Sequence, residues 1–171
     1  MTTSAAVEFE VRGDLAMVEL GGVVARGLAP STAGVVSLSG HLGAGKTTFV
    51  KGLASGLGVA ESRDVVSPTF LRVVTFEGPP RLVHIDAYRM RAASDLIELG
   101  LAEDLAGGAV VAVEWPENVD GGLPDDRLHI AIAHISEAAR RVRLEAGGPD
   151  SLAWLKRVSN ELSAAGEGRA P

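Results

Sequence analysis

Residues 35–57 read VVSLSGHLGAGKTTFVKGLASGL, and this stretch decides the fold. It begins with a short apolar run that is typical of a buried strand. From Thr47 to Leu57, apolar residues recur at the spacing of one helix face. Between these segments, Gly40 to Thr47 match the pattern G-x-x-x-x-G-K-S/T, which is typical of a phosphate-binding loop. The stretch therefore predicts a strand, a glycine-rich turn and a helix, the context in which this pattern binds phosphate groups.

The glycine-rich segment 40–48, called the phosphate loop below, has the chemistry that nucleotide phosphates require. Glycines let successive backbone N–H groups curl around an anion without interference from a Cβ atom. The helix that follows directs its positive N-terminus at the same anion. Lys46 is predicted to reach the β- and γ-phosphates, and the Thr47 hydroxyl to bind Mg²⁺. The predicted nucleotide contacts in the loop are Gly40, His41, Leu42, Gly43, Ala44, Gly45, Lys46, Thr47 and Thr48.

Two acidic residues stand at the ends of predicted strands. Asp86 ends the segment 81–86, and Glu114 ends the more uniformly apolar segment 109–114. The carboxyl ends of parallel strands meet at the sheet edge where ligands bind, and a phosphate loop needs an acid for its metal ion. Asp86 and Glu114 therefore both qualify as the acid that partners the metal ion.

A proline-marked segment, Ser67-Pro68-Thr69-Phe70, is a candidate switch loop. Its Thr69 hydroxyl is predicted to approach Mg²⁺ or the γ-phosphate, as ordering loops do in nucleotide switches. His84 alternates with Val83 and Ile85, so we interpret it as a structural residue of its strand and not as a metal ligand.

The other segments complete one α/β domain. The strand predictions are 7–11, 71–76, 81–86, 109–114, 128–132 and 141–145, and the helix predictions are 15–28, 94–99, 101–105 and 151–162. We expect a single P-loop NTPase domain with a mostly parallel central sheet, flanking helices and antiparallel edge strands. Residues 1–149 are expected to form this domain, 150–163 a C-terminal helix packed on it, and 164–171 a disordered tail.

Composition excludes several classes of protein. The 171 residues include no cysteine, which rules out disulfides, thiolate metal sites and a cysteine nucleophile. A formal net charge of −6 argues against a broad basic surface that holds nucleic acid unaided. Residues 1–10 lack the basic start and apolar core of a signal peptide, and no stretch is apolar enough for a membrane span. We expect a cytoplasmic protein without membrane contact.

Several stretches together resemble one family. They are GHLGAGKTTF at 40–49, SPTF at 67–70, HIDAYR at 84–89, ELGL at 98–101 and EWPE at 114–117. In this order and spacing they resemble the TsaE (YjeE) family, small bacterial ATPases of tRNA threonylcarbamoyladenosine biosynthesis. The phosphate loop is shared by many families, so the stretches after it are the more specific part of the resemblance.

The resemblance implies an Mg²⁺-dependent ATP hydrolase that is weakly active alone. It implies a requirement in forming N6-threonylcarbamoyladenosine at position 37 of tRNAs that read codons starting with A. Members of the family act on a complex of the threonylcarbamoyl transferase and its inactive paralogue, which stimulate hydrolysis. Contact with tRNA is therefore expected to be indirect.

The resemblance also assigns roles to residues. The catalytic residues it implies are Lys46, Asp86 and Glu114, and the metal ligands are Thr47 and Glu114. The nucleotide contacts it implies beyond the phosphate loop are Thr69, Trp115 and Arg141. His41 stands where the family usually has an acid, a change that leaves phosphate binding intact.

Without the resemblance, the residues leave alternatives open. One is a P-loop small-molecule kinase, with Arg89, Arg91 and the arginines near Arg140 closing over a transferred phosphoryl group. Another is a nucleotide-gated assembly module, in which ATP binding orders residues 67–76 and hydrolysis is not essential. A GTPase is disfavoured because no Asn-Lys-x-Asp guanine motif occurs.

Overall fold

The computed structural model describes residues 5–29, 33–61, 64–69 and 72–167. The strands are β1 Ala6–Arg12, β2 Gly34–Ser39, β3 Val73–Phe76, β4 Leu82–Asp86, β5 Val110–Glu114, β6 Leu128–His134 and β7 Ala139–Ala146. The helices are α1 Gly13–Gly27, α2 Lys46–Leu57, α3 Ser94–Glu98, α4 Leu101–Ala106 and α5 Pro149–Glu167, with a short 3-10 helix at Pro116–Val119. The element types agree with those predicted from residue spacing.

Within the described residues, the strands form one sheet in the order β1-β7-β6-β2-β5-β4-β3. The central strands β6, β2, β5 and β4 are parallel to their neighbours in that group. β7 and β1 add antiparallel strands on one side, and β3 pairs antiparallel with β4 on the other. This arrangement confirms the predicted mostly parallel centre with antiparallel edges. The predicted hairpin also forms, between β3 and β4, and residue 71 of its predicted first strand lies outside the described residues.

Helices cover the sheet on both faces. α1, α2 and α5 pack on one face, where Phe49 and Leu144 are fully buried. α3 and α4 cover the other face around Ile85 and Val113. Strand β5 is buried along its whole length, as is typical of a central parallel strand. Its last residue, Glu114, is therefore a carboxylate at the end of an otherwise apolar, enclosed strand.

Helices α1 and α2 cross at very close range because glycines stand at their contact. A Cβ atom at Gly52 would lie 1.9 Å from the carbonyl oxygen of Val18, and one at Gly21 would lie 2.2 Å from that of Phe49. Neither position has room for a side chain. The glycines that lower the helix propensity of α1 thus permit its packing against α2, whose first residue is Lys46.

Helix α5 is attached to the rest of the domain at its start and along its side. Asp126, from the connection before β6, accepts hydrogen bonds of 2.8 Å from the backbone N–H groups of Asp150 and Ser151. Trp154 Nε1 donates to the carbonyl oxygen of Val24 in α1 at 2.7 Å. These contacts join the last helix to the first helix and to the loop before β6.

The C-terminal helix is longer than predicted. It continues to Glu167, so the predicted disorder of 164–171 is wrong for residues 164–167. Ala164 and Ala165 have the highest helix propensity of any residue type, which favours extension of the helix past the predicted end. Residues 168–171 lie outside the described part of the chain.

Among the described residues, no helix combines the length and the apolar character needed to cross a bilayer.

Candidate nucleotide site

A cavity of about 510 Å³ opens over the phosphate loop at the carboxyl ends of the parallel strands. Its floor is the loop itself, of which residues 42–48 line the cavity. One wall contains Thr69, Asp86, Glu114 and Trp115, all predicted from the sequence as site residues. The opposite wall comes from the start of α1 and from the turn between β6 and β7.

Lys46 lies across the phosphate loop. The loop leads into α2 at Gly45, which has a φ of 112°. Residues with a Cβ atom rarely adopt this backbone angle. Lys46 Nζ donates to the carbonyl oxygens of Gly40 at 2.6 Å and His41 at 3.0 Å. The same nitrogen lies 4.0 Å from the centroid of the Trp115 ring. The ammonium group is therefore held between the loop carbonyls and an aromatic face.

The electrostatics of the site are set by acids around this lysine. Burial lowers the pKa of Lys46 below its ordinary value of 10.5, while the carboxylates of Glu114, Glu117 and Asp86 oppose that shift. A polyphosphate that enters the cavity meets the lysine and these carboxylates together. The carboxylates would repel the phosphates unless a cation stood between them. This charge balance favours a nucleotide that enters with a metal ion.

Thr47 and Glu114 are brought into direct contact. Thr47 Oγ1 donates to Glu114 Oε1 at 2.7 Å, from the start of α2 to the end of β5. The same carboxylate oxygen lies 2.8 Å from Nε2 of His84 on β4. Because a carboxylate oxygen only accepts, the Nε2 atom carries the proton in this hydrogen bond. Glu114 is thus held from two sides, and one of the donors is a residue that the sequence did not mark as functional.

Asp86 holds the segment 67–69 against the sheet. Its Oδ2 atom accepts hydrogen bonds from Ser67 Oγ at 2.9 Å and Thr69 Oγ1 at 2.6 Å. Its Oδ1 atom accepts one from the backbone N–H of Tyr88 at 2.9 Å. Thr69 therefore lines the cavity with its hydroxyl bound to an acid. Phe70, the last residue of the predicted switch loop, lies outside the described residues.

Trp115 covers the lysine end of the cavity. It follows β5 directly and has a φ of 59°, which is uncommon for any residue except glycine. This turn of the backbone ends the strand after Glu114 and precedes Pro116. The indole packs at an interplanar angle of 55° against the ring of Tyr88, with centroids 5.0 Å apart. The two rings form an aromatic border next to the acidic wall.

Arg141, the predicted basic contact, faces away from the cavity. Its Nε atom lies 3.4 Å from Glu8 Oε1 on the neighbouring strand β1. Arg140 takes the predicted place, and its Nε atom donates to the Ala44 carbonyl oxygen in the phosphate loop at 3.2 Å. Successive side chains of a strand point to opposite faces, so a shift of one residue reverses the outcome. Arg140 is two residues from the buried Val142 and therefore lies on the same face of β7. This alternation is the feature of the sequence that favours Arg140 over Arg141 as the residue next to the loop.

The end of the cavity opposite Asp86 and Glu114 was not predicted from the sequence. The backbone N–H of Gly13 donates to the Ala138 carbonyl oxygen at 2.9 Å, which joins the start of α1 to the turn after β6. Asp14, Met17 and Glu137 line this end. These residues carry no motif and come from opposite ends of the domain sequence. Only the pairing of β1 with β7 brings them together.

The residues at the acidic wall fit Mg²⁺. Thr47 offers a hydroxyl, and Glu114 and Asp86 offer carboxylates, which are the hard oxygen donors that Mg²⁺ prefers. In the described part of the chain, no group of three or more His, Cys, Asp or Glu side chains is arranged to hold a metal ion. Mg²⁺ usually combines one or two protein carboxylates with substrate phosphates and water, and this donor set matches that habit.

The parallel sheet, the phosphate loop and the cavity above it define an α/β protein of the P-loop NTPase class. The sequence model of the family described as "Threonylcarbamoyl adenosine biosynthesis protein TsaE" matches residues 12–142. The chain belongs to the TsaE family.

Relatives with the name "tRNA threonylcarbamoyladenosine biosynthesis protein TsaE" align with much of the chain. The protein of Bacillus subtilis (strain 168) is 43% identical over 115 residues, which are 67% of this chain and 70% of the relative. That of Treponema pallidum (strain Nichols) is 39% identical over 108 residues, 63% of this chain and 78% of the relative. The crystal structure of YdiB from Bacillus subtilis superimposes with a TM-score of 0.77 at 28% identity, covering 94% of this chain and 99% of that one.

Proposed function

We propose that this protein is an Mg²⁺-dependent ATPase required for the formation of N6-threonylcarbamoyladenosine in tRNA. Membership of the TsaE family and the names of the relatives support the biosynthetic role. The observation that carries the enzymatic part is the 2.7 Å hydrogen bond from Thr47 to Glu114 beside Lys46. A hydroxyl and a carboxylate in contact next to the lysine of a phosphate loop are the groups with which a P-loop NTPase holds its Mg²⁺ and nucleotide, and this supports the proposal.

The side chains divide the work at the phosphates. Lys46 and the backbone N–H groups of the phosphate loop stabilise the negative charge that develops during phosphoryl transfer. Thr47 and Glu114 would hold Mg²⁺, which when bound neutralises charge on the β- and γ-phosphate oxygens. Asp86 fixes the hydroxyls of Ser67 and Thr69 at the cavity wall, so these groups face the nucleotide.

We also propose that hydrolysis is weak in the isolated protein and is stimulated by the threonylcarbamoyl transferase and its inactive paralogue. Large apolar side chains are exposed around the cavity, with Leu42 at 80%, Leu15 at 87% and Val66 at 65% exposure. Leu42 lines the cavity, and the other two each follow or precede a lining residue. An exposed apolar border of this kind is typical of a surface that a protein partner covers. The acidic net charge supports indirect contact with tRNA.

The test is ATP hydrolysis by the purified protein with and without the purified transferase pair. We expect slow release of phosphate alone and a severalfold increase with the pair. Lys46→Ala should abolish the stimulated rate, whereas Lys51→Ala, which changes a lysine of the same helix outside the cavity, should leave it intact. Full partner-stimulated hydrolysis by Lys46→Ala would refute the assignment, and a kinase would require an added acceptor before ATP is consumed.

A second candidate is a nucleotide-gated assembly module. The hydrogen bonds from Ser67 and Thr69 to Asp86 favour it, because a nucleotide at this wall would compete for the same groups. The Glu114→Gln variant distinguishes the two candidate functions. If this variant binds ATP, does not hydrolyse it and still supports complete tRNA modification, gating is the function and hydrolysis is not essential.

A further inference from the structure

His84 has a buried imidazole ring, and among the described residues only one of its two nitrogens has a hydrogen-bond partner. The side chain is fully buried. His84 stands two residues before Asp86 in β4, so both side chains lie on the same face of the strand. Nε2 lies 2.8 Å from Glu114 Oε1. Nδ1 is also buried, and no hydrogen-bond partner for it exists among the described residues. The imidazole therefore contacts the candidate site through one nitrogen only.

A buried Nδ1 atom that has no partner among the described residues makes histidine a poor choice for packing alone. A buried polar atom without a partner destabilises the folded state, and an apolar side chain at this position would avoid that loss. The β4 neighbours Leu82, Val83 and Ile85 are apolar and buried, so this part of the strand accepts apolar residues. The feature that distinguishes histidine here is its hydrogen bond to Glu114.

The two donors to Glu114 come from different parts of the fold. Thr47 belongs to the helix that begins at the phosphate loop, so its hydroxyl is part of the binding surface. His84 lies within the sheet, where β4 pairs with β5 along its length. A donor fixed in the sheet holds the carboxylate independently of what the phosphate loop binds. Groups behind a metal ligand commonly orient it in this way.

We infer that His84, with its proton on Nε2, is the positioning residue that orients the Glu114 carboxylate toward the Mg²⁺ of the bound nucleotide. This inference rests on the proposed function, since it deepens the role given there to Glu114. His84 contacts neither nucleotide nor metal in this scheme. Its effect passes through Glu114, so it should alter the dependence on Mg²⁺ and leave metal-free nucleotide binding unchanged.

A matched pair of substitutions isolates the hydrogen bond. The amide nitrogen of Gln is as many bonds from Cβ as Nε2 of histidine, whereas that of Asn is only as far away as Nδ1. His84→Gln therefore keeps a donor within reach of Glu114, and His84→Asn keeps a similar polarity without that reach. Ile85→Val, on the opposite face of β4, is the control for general weakening of the strand.

The experiment measures nucleotide binding by the change in tryptophan fluorescence. Titrations are made in the presence of a chelator and at a series of Mg²⁺ concentrations. We expect His84→Asn to raise the half-saturating Mg²⁺ concentration about tenfold, with unchanged ADP affinity in the chelator. His84→Gln should restore most of the wild-type Mg²⁺ response, and Ile85→Val should not change it. An unaltered response in His84→Asn, or equal losses in both variants, would overturn the inference.

A measurement on the unmodified protein covers the case in which the variants do not fold. Nitrogen NMR of labelled histidines should show the proton of His84 on Nε2, and the opposite tautomer would overturn the inference. Failure of the proposed function would give a different result. The nucleotide affinity of wild type and of Thr47→Val would then be independent of the Mg²⁺ concentration. In that case the tautomer still decides whether His84 donates to Glu114.

Discussion

Arg140 and Arg141 carry the same charge next to each other in the chain, yet only Arg140 contacts the phosphate loop. Arg140 donates from Nε to Ala44, and from a terminal guanidinium nitrogen to the Ser136 and Glu137 carbonyl oxygens. It thereby ties the turn after β6 to the loop. Arg141 lies on the other face of β7, near Glu8. The pair thus offers a test with an internal control.

Arg140→Ala should weaken ATP binding about tenfold or more, because the hydrogen bond that holds the Ala44 carbonyl of the phosphate loop comes from a charged group and is worth roughly 1.5–3 kcal/mol. Arg141→Ala should bind ATP as the wild type does, because its side chain lies outside the cavity. Calorimetric titration of both variants with ATP and Mg²⁺ measures the difference. Equal losses in the two variants would mean that net charge, and not the contact with Ala44, controls affinity.

His129 predicts a pH dependence of stability. Its Nδ1 lies 2.8 Å from Ser37 Oγ and its Nε2 lies 3.1 Å from Ser39 Oγ. Burial lowers the pKa of His129 below 6.5, and the charge of Arg127 lowers it further against the opposing effect of Glu145. The unfolded chain then binds more protons just below pH 6.5, so the free energy of unfolding falls as the pH drops through 6.5.

The contribution of His129 is full above pH 6.5 and is lost on acidification until the folded-state pKa is reached. Urea unfolding at several pH values should therefore show a steeper decline for wild type than for His129→Gln. The glutamine keeps hydrogen-bonding groups near both serines and does not titrate. Parallel curves for the two proteins would contradict the predicted linkage.

The sequence predicted the individual residues of the acidic wall better than their contacts. Lys46, Thr47, Asp86 and Glu114 follow from a motif and from strand ends, and the structure brings them to one cavity. His84 was interpreted as structural because alternation describes the face of a strand and not the partner across it. That partner depends on the register of β4 against β5, which no local pattern contains.

At the scale of elements, the α1–α2 crossing is the contact that supports the phosphate loop from behind. Judged by helix propensity alone, the glycines of α1 only weaken the helix. These glycines allow α2 to pack directly against the backbone of α1. The spacing of apolar residues within one helix does not reveal which other helix packs against it. Because Gly52 lies so close to Val18, a substitution that adds one methyl group at position 52 tests the packing of the two helices.

Gly52→Ala should lower the free energy of unfolding by about 3 kcal/mol, because the added Cβ atom meets a backbone oxygen that cannot rotate away. Ser55→Ala, on the exposed side of α2, adds a good helix former without this clash and should be nearly neutral. Denaturant unfolding of both variants makes the comparison. A stable Gly52→Ala protein would show that α1 and α2 separate more readily than their packing indicates.

The cap of α5 gives a second prediction at this scale. Burial tends to raise the pKa of Asp126, but hydrogen bonds from Ser151 and from the backbone of Asp150 outweigh it and hold the pKa below 3.8. Because the folded-state pKa is depressed, the cap stabilises above pH 3.8 and is lost as the pH falls through that range. Asp126→Ala should cost about 1 kcal/mol at neutral pH, a typical loss for a helix cap.

Unfolding of Asp126→Ala and wild type should differ at neutral pH and converge toward pH 3. Asp125→Ala is the matched control, since this neighbour is exposed and contributes only its backbone oxygen to the described contacts. A difference that persists unchanged in acid would assign the effect to packing against Gly148, not to the charged cap.

At the scale of the whole molecule, the class of sheet was predictable, but its strand order was not. A strand, a phosphate loop and a helix imply a parallel crossover, and the segment 71–86 implies a hairpin. The order also requires that β1, first in the chain, pair with β7. That pairing spans nearly the full sequence, and the unpredicted end of the cavity depends on it.

If the cavity binds ATP with Mg²⁺, the ligand should stabilise the entire domain. A ligand at a hundred times its Kd adds about 2.7 kcal/mol to the free energy of unfolding. In a domain of this size, that corresponds to a rise in Tm of about 5–10 °C. Thermal unfolding should show the rise with ATP and Mg²⁺, a smaller one with ATP and a chelator, and none for Lys46→Ala. An equal rise in that variant would place the ligand elsewhere.

The neighbouring positions of the first and last strands have a consequence for synthesis. A chain that leaves the ribosome N-terminus first carries β1 without its strand partner until residues 139–146 have emerged. During that time its backbone hydrogen-bonding groups are open to other nascent chains. Glu8, Glu10 and Arg12 place charge at alternate positions of β1, a composition that discourages edge-to-edge association. These charged side chains, which are exposed in the folded protein, thus also discourage association of β1 with other chains before β7 has been synthesised.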